Sequence, residues 1–384
     1  MRNLSLLPFA LCWFVTGCQL FGGVRIENVA TASGKPSNVA ALVTVTKRRE
    51  PVRELDVSAF AIIEDGKPLD RDKADVRLLD PSTVVAFHTV LLLDLGHAST
   101  EENKRQLAKA ASSFVRKVRQ RQPVTVLVFD GSARTRLVGD FTTEPNGSGP
   151  EQLDNLLAMA PADPSRNLRG AVLDGLDALD SRLEKSTRPV HVGTLVVFSR
   201  GPDVAGRISQ TDFDQRLRNT DYQLVYLDVQ GDTGDDVTDV LARRNRVDSQ
   251  ASDTLPIAFE EAGALANRLT QQYYLISYCS PARASTRQLR IEVRVPGGEN
   301  ETETDSIDTE FDATGFTPGC NAGSPPRFVV KKRESETPPS PTKNTLGGKA
   351  EGSPRSTEPS SKSVETTKGT DTEVPPPNKP GYAP

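Results

Sequence analysis

His88-Thr89-Val90-Leu91-Leu92-Leu93-Asp94-Leu95-Gly96-His97-Ala98-Ser99-Thr100 is the stretch on which the reading of this chain turns. Val90 to Leu93 is an unbroken apolar run, the pattern of a strand buried on both faces, as in a parallel sheet covered by helices. The run stops on the carboxylate of Asp94. Gly96 then opens a loop, and a long amphipathic stretch begins at Glu101. Open parallel sheets place ligands at the carboxyl ends of their strands, so a strand ending in Asp marks a candidate site. The same carboxylate serves equally well as a cap for the following loop, and both readings stand at this point.

Downstream of this strand, apolar runs alternate with helical periodicity. Asn103 to Arg119 sets Leu107, Ala110, Ala111, Phe114, Val115 and Val118 on one helical face, and Pro123 ends that helix. Val124–Phe129 reads as a second buried strand and Thr135–Val138 as a short edge strand. Leu168 to Leu183 is helical, with Leu168, Ala171, Val172, Leu176 and Leu179 facing inward. Val190–Phe198 is the fourth strand, Phe213 to Asn219 a helix, and Tyr222–Val229 the fifth strand. Ile257 to Leu269 is helical again, and Tyr273–Cys279 is read as the sixth strand. This alternation predicts an α/β domain with a doubly wound, mostly parallel, Rossmann-like sheet.

Upstream, residues 24–87 read as a small β-sandwich-like module. Val39 to Thr46 is rich in Val and Thr, and Asp65-Gly66 is a hairpin signal between strand-like runs. After the sixth strand, Leu289 to Val295 alternates with period two, as a half-buried strand does. The short loop before it predicts an antiparallel hairpin at the edge of the α/β sheet. Alternatively, this strand returns to the N-terminal module and the α/β domain is an insertion; the pattern fits both. From about Asn321, Pro, Ser, Thr, Lys, Glu and Gly dominate, a composition unable to offset its ordering entropy by burial.

The N-terminus is distinct. Arg2 precedes a short apolar run, Leu4 to Val15, ending in Val15-Thr16-Gly17-Cys18. A positive charge, an apolar core too short to span a bilayer and small residues describe a secretory signal. The last four residues resemble a bacterial lipobox, whose Cys is acylated and becomes the mature N-terminus. Lipid on Cys18 would anchor the chain to the bilayer at about 0.8 kcal/mol per buried methylene. Gln19, in place of Asp at the sorting position, points to the outer membrane. Of four cysteines, Cys12 leaves with the signal and Cys18 takes lipid. Cys279 and Cys320 remain in an exported chain, where they are expected to pair. The chain thus divides into a signal peptide (1–17), a lipidated linker (18–23), a β module (24–87), an α/β domain (88–280), a hairpin extension (281–320) and a disordered tail (321–384).

A net charge of −4 and a pI near 5.7 argue against nucleic acid, which calls for a basic face. No G-x-S-x-G or phosphate loop occurs, and the three His (His88, His97, His191) have no zinc spacing. Asp94, His97 and Ser99 invite a hydrolase reading, but triad members usually come from separate elements. The three-Asp loop Gln230 to Asp236 lacks EF-hand spacing and reads as a solvated turn.

Over roughly residues 88–280 the strand order and terminal Asp resemble a von Willebrand factor type A domain. That family carries a metal-ion-dependent adhesion site of D-x-S-x-S after the first strand, a Thr on a later loop and an Asp after the fourth strand. Carried over, the resemblance keeps Asp94 but puts Gly96 and Ala98 at the two Ser positions. Gly170 stands at or near the Thr position, and Arg200 replaces the Asp in Ser199-Arg200-Gly201. The resemblance therefore implies a degenerate site without metal or other cofactor. In a doubly wound order the first and fourth strands are neighbours, so Arg200 emerges beside Asp94, where its guanidinium either pairs with that carboxylate or points to solvent and leaves Asp94 to bond backbone amides. It implies a non-enzymatic module that binds a protein or other envelope partner. The alternatives are an accessory envelope lipoprotein with no ligand at this face, and a hydrolase using His97 and Ser99.

Overall fold

Val39, Ala41, Val43 and Val45 alternate with Ala40 and Leu42 along one strand, and both sets are buried. A strand of this kind must have a layer on each side, and the molecule supplies two different ones. The computed structural model describes residues 23–96, 100–144, 153–228, 237, 240–241, 246–248, 255–297 and 301–329.

The first sheet joins β1 (Val24–Gly34), β2 (Asn38–Lys47), β13 (Tyr273–Cys279) and β6 (Arg77–Leu79) in that order, with β3 (Glu50–Pro51) on β2. The second runs β15 (Thr302–Asp312), β14 (Thr286–Pro296), β4 (Phe60–Glu64) and β5 (Lys67–Pro68). They enclose one core in which Val39, Val43, Phe60, Ile62, Ile276, Leu289, Ile291 and Val293 interdigitate. Asp65 and Gly66, both at positive φ, form the β4–β5 turn that their sequence announces.

Between β6 and β13 the chain departs to build the α/β domain. Its sheet has the order β12 (Arg246–Asp248), β11 (Gln223–Asp228), β10 (Val190–Ser199), β7 (Val85–Asp94), β8 (Val124–Phe129) and β9 (Arg136–Phe141). All neighbours are parallel except β9, which runs antiparallel to β8 at the edge. Helices α1 (Glu101–Val118) and α5 (Leu255–Thr270) cover one face, while α3 (Leu168–Leu183) and α4 (Gln210–Arg218) cover the other. A short α2 (Asp154–Ala158) precedes α3. The doubly wound, mostly parallel α/β class is the one read from the sequence. Among the described residues no helix is long and apolar enough to cross a membrane.

Three sequence readings are corrected. Tyr273–Cys279 is not the sixth strand of the α/β sheet; it lies antiparallel between β2 and β6, with Ile276 opposite Ala41 and Leu78. The sixth position belongs to β12, which pairs through Tyr226 and Arg246. An apolar run buried on both faces suits the centre of either sheet, and the three residues of β12 carry no periodicity to compete with it. Second, β14 does not extend the α/β sheet. Leu289 and Ile291 pair with Glu64 and Ile62 of β4, so the β module spans both ends of the chain and the α/β domain is the insertion. Third, order continues past Asn321. Phe328 is 3 % exposed and packs with Val84, Val85, Val190, Tyr273 and Leu275, while Asn38 bonds the carbonyls of Asn321 and Ser324.

The cluster containing Phe328 also holds Ala32, Ala40 and Leu42. It is the seam where the outer face of the first sheet meets the base of the α/β domain. Cys279 and Cys320 are joined, as expected, with their Cα atoms 5.6 Å apart. Residues 1–22, including Cys18, and 330–384 lie outside the described residues, as do His97, Ala98, Ser99 and the loop Gln230 to Asp236.

Candidate functional site

The carboxyl ends of β7, β8 and β10 form the top edge of the α/β sheet. Val90 to Leu93 are wholly buried between the two helical layers, which forces Asp94 to emerge at the end of a central strand. Its carboxylate is itself buried and fully engaged. Oδ1 accepts from the Gly96 N–H at 2.8 Å. Oδ2 accepts from Arg166 Nε at 2.6 Å, from the Arg200 N–H at 3.1 Å and from the Ser199 hydroxyl at 3.4 Å.

The ion-pair partner is therefore Arg166, and the Arg200 guanidinium is not. The alternation of side chains along β10 explains this correction. Ser199 shares the α3 side of the sheet with Asp94, so the next residue points to the opposite side. There Arg200 stands with Phe198, its guanidinium carbon 5.9 Å from the ring centroid. Burial lowers the Arg200 pKa and the nearby Asp94 opposes that shift. Only the main chain of Arg200 reaches the carboxylate.

Arg166 is held in place by its neighbour. Asn167 caps α3 by accepting from the Gly170 N–H at 3.2 Å, and it donates to the Ser132 carbonyl at 2.9 Å. Its own N–H bonds the carbonyl of Asp130. Gly170, expected at a ligand position, serves this cap: a Cβ there would sit 2.3 Å from the Asn167 amide nitrogen. Arg166 then spans three loops. Nη1 donates to the Pro202 carbonyl at 3.1 Å, and the Arg166 carbonyl accepts from Val204 and Ala205. At Gly96 a Cβ would approach the Ser165 carbonyl to 3.0 Å, so a side chain there would push this loop away.

Other carboxylates on the same edge are matched in the same manner. Asp130 accepts from Ser132 N, Ala162 N and Arg136 Nη2 at 2.7, 2.8 and 3.2 Å. Burial pushes its pKa up, but those donors outweigh it and hold the carboxyl below its ordinary value. Asp163 has its pKa lowered first by the Ser165 hydroxyl and N–H and then by Arg207, with which it pairs at 3.1 Å. Asp174 accepts from Arg134 and from the Thr135 N–H, both at 2.8 Å. Among the described residues no three His, Cys, Asp or Glu side chains converge as a metal cluster.

Sequence reading placed Asp94 and missed Arg166. An Asn before a helix signals the cap at Asn167, and the arginine ahead of it lies four residues before Gly170. Nothing in that pattern says that this loop crosses over β7.

The chain matches no family model and no curated protein. Among solved structures it is similar to a von Willebrand factor type A protein from Catenulispora acidiphila, at 8% identity over 78% of this chain and 75% of that one, with a TM-score of 0.38. It is similar also to the manganese-loaded TRAP protein of Plasmodium vivax, at 9% identity over 63% and 98%, TM-score 0.38. The PilB minor pilin of Streptococcus sanguinis aligns at 9% identity over 64% and 79%, TM-score 0.34. At such identities only the course of the backbone is comparable.

Proposed function

We propose that this chain is an exported lipoprotein, tethered to the bilayer through Cys18, whose α/β domain is a type A module with a degenerate adhesion site. It acts as a non-enzymatic, metal-independent binding module for a protein or other envelope partner. One observation carries the metal-independent reading: both Asp94 oxygens are already taken, and a buried guanidinium stands against the one carboxylate that the adhesion pattern retains. A hard divalent cation requires several free oxygen donors in an octahedral shell. Here Gly96 contributes no side-chain oxygen, the one Ser199 hydroxyl proton is shared between the Gly201 carbonyl at 2.9 Å and Asp94 at 3.4 Å, and Arg200 replaces the acid after β10. A fixed cation beside Asp94 would also repel a mobile one.

The Cys279–Cys320 disulfide supports an oxidising compartment outside the cytoplasm. The binding role rests on the resemblance over 88–280, since that family is mostly one of interaction domains. Calorimetric titration with Mg²⁺ and Mn²⁺ is expected to give no saturable heat. Tight binding abolished by Asp94→Ala would overturn the metal-independent reading, and crosslinking in cells followed by mass spectrometry would identify the partner.

A further inference from the structure

The N-terminal strand and a basic hairpin tip are placed together by the register of the first sheet. Val24, six positions after Cys18 in the sequence, lies opposite Lys47 in the β1–β2 pair. That end of β1 is clamped. Glu303 accepts from the Val24 N–H at 3.2 Å and pairs with Lys47 at 3.0 Å, and Lys47 also donates to the Pro296 carbonyl. Immediately beyond Lys47 the chain turns through Arg48 and Arg49, both exposed, and returns at Glu50.

Two features of this turn stand out. Arg48 and Arg49 have φ of 52° and 68°, the left-handed pair of a two-residue hairpin turn that Asn-Gly adopts with less strain. Both arginines are solvent-exposed at the hairpin tip. Arg25 is paired with Glu27, and Lys47 with Glu303; among the described residues neither Arg48 nor Arg49 forms a direct ion pair, although the Arg48 charge acts with Lys47 on Glu303. Glu50 is the only carboxylate in the turn itself. On a chain of net charge −4 this is a local cationic tip.

We propose that the Lys47–Glu50 hairpin tip contacts the anionic phospholipid headgroups of the bilayer to which the chain is tethered. The proposal rests on the lipid anchor at Cys18 for its geometry: six residues reach at most about 20 Å, so an acylated Cys18 keeps this tip near the surface. Each Arg near an anionic surface adds an attraction that salt screens within a Debye length. The pair thereby orients the sandwich on the membrane.

The test uses the full chain carrying Cys18→Ser, so that binding by the tip is read without the anchor. Sedimentation with vesicles one-third phosphatidylglycerol is expected to show salt-sensitive binding, absent with pure phosphatidylcholine. Arg48→Asn/Arg49→Gly should lower that affinity about thirtyfold while leaving the melting temperature unchanged or raised, because the turn is then easier to make. Arg290→Gln/Arg294→Gln, on the outer face of the second sheet, should bind as the parent does. Equal binding by the hairpin variant and the parent, or no preference for anionic vesicles, overturns the proposal. Labelling of the unaltered chain with palmitate in cells tests the Cys18 anchor separately, so failure of the anchor and failure of the tip are distinguishable.

Discussion

Asp94 and Glu64 are both carboxylates buried at the ends of strands, and the two halves of the molecule treat them in opposite ways. At the top of the α/β sheet Asp94 has a guanidinium and three further donors. In the sandwich Glu64 is 6 % exposed and accepts from the Ser280 hydroxyl at 3.1 Å, while its Oε1 and the nearby Tyr278 hydroxyl lack well-formed hydrogen bonds. Burial raises the Glu64 pKa, against the pull of Ser280 and Tyr278, and burial with the neighbouring Glu64 charge raises that of Tyr278. The α/β domain surrounds its buried acid with a guanidinium and N–H donors; the sandwich, by burial, pushes its own toward the neutral form. The first arrangement belongs to an edge where loops from three strands must be locked together. The second belongs to a packed core whose cohesion is apolar.

The sharpest way to break this comparison is to remove one acid from each half. Asp94→Ala takes away the carboxylate that meets Nε of the buried Arg166 guanidinium and should cost about 3–5 kcal/mol in denaturant unfolding. If the loss is under about 1 kcal/mol, Arg166 finds water or another partner and the lock is not what holds the loops.

A second test uses a buried base in the α/β domain. His88 Nε2 lies 2.9 Å from the Thr125 hydroxyl, which donates to Asp140 at 2.6 Å, so the imidazole is the donor in that pair. Burial, aided by the Arg182 charge and opposed by Asp140, pushes the His88 pKa down to about 4. The unfolded chain, with an ordinary His, binds more protons between about pH 6.5 and 4. Stability is therefore complete above that window and lost as pH falls through it, by an amount on the order of 3 kcal/mol. Urea midpoints across pH 4–7 should slope accordingly, and His88→Gln should flatten them.

The smallest effect is expected at Glu64. Because its folded pKa is raised, stability is greatest at acid pH and declines as pH rises above the ordinary carboxyl value, opposite in sign to the His88 contribution. Glu64→Gln should remove that decline and change stability near neutral pH by no more than about 1 kcal/mol, in the stabilising direction. A large loss in this variant would mean that Glu64 is charged and paired after all.

Much of the architecture was legible in the residues alone. The run Val90 to Leu93 ending in Asp94, the amphipathic periodicity of α1 and α3 and the Asp65-Gly66 turn are local patterns, and the structure keeps each of them. The Cys279–Cys320 bond was expected once Cys12 had been read as part of a signal and Cys18 as a lipid anchor, and the structure joins the two.

What tertiary structure alone decided is where two-faced strands go and which cation meets Asp94. Tyr273–Cys279 is apolar on both faces, and such a strand carries no mark of the sheet that will bury it; β2 and β6 claimed it because the chain returns from α5 to the sandwich. Likewise, Arg166 lies 72 residues from Asp94, and a pair so distant forms only once α3 has packed beside β7. Periodicity reports how each segment meets its surroundings. The identity of those surroundings is a property of the assembled chain.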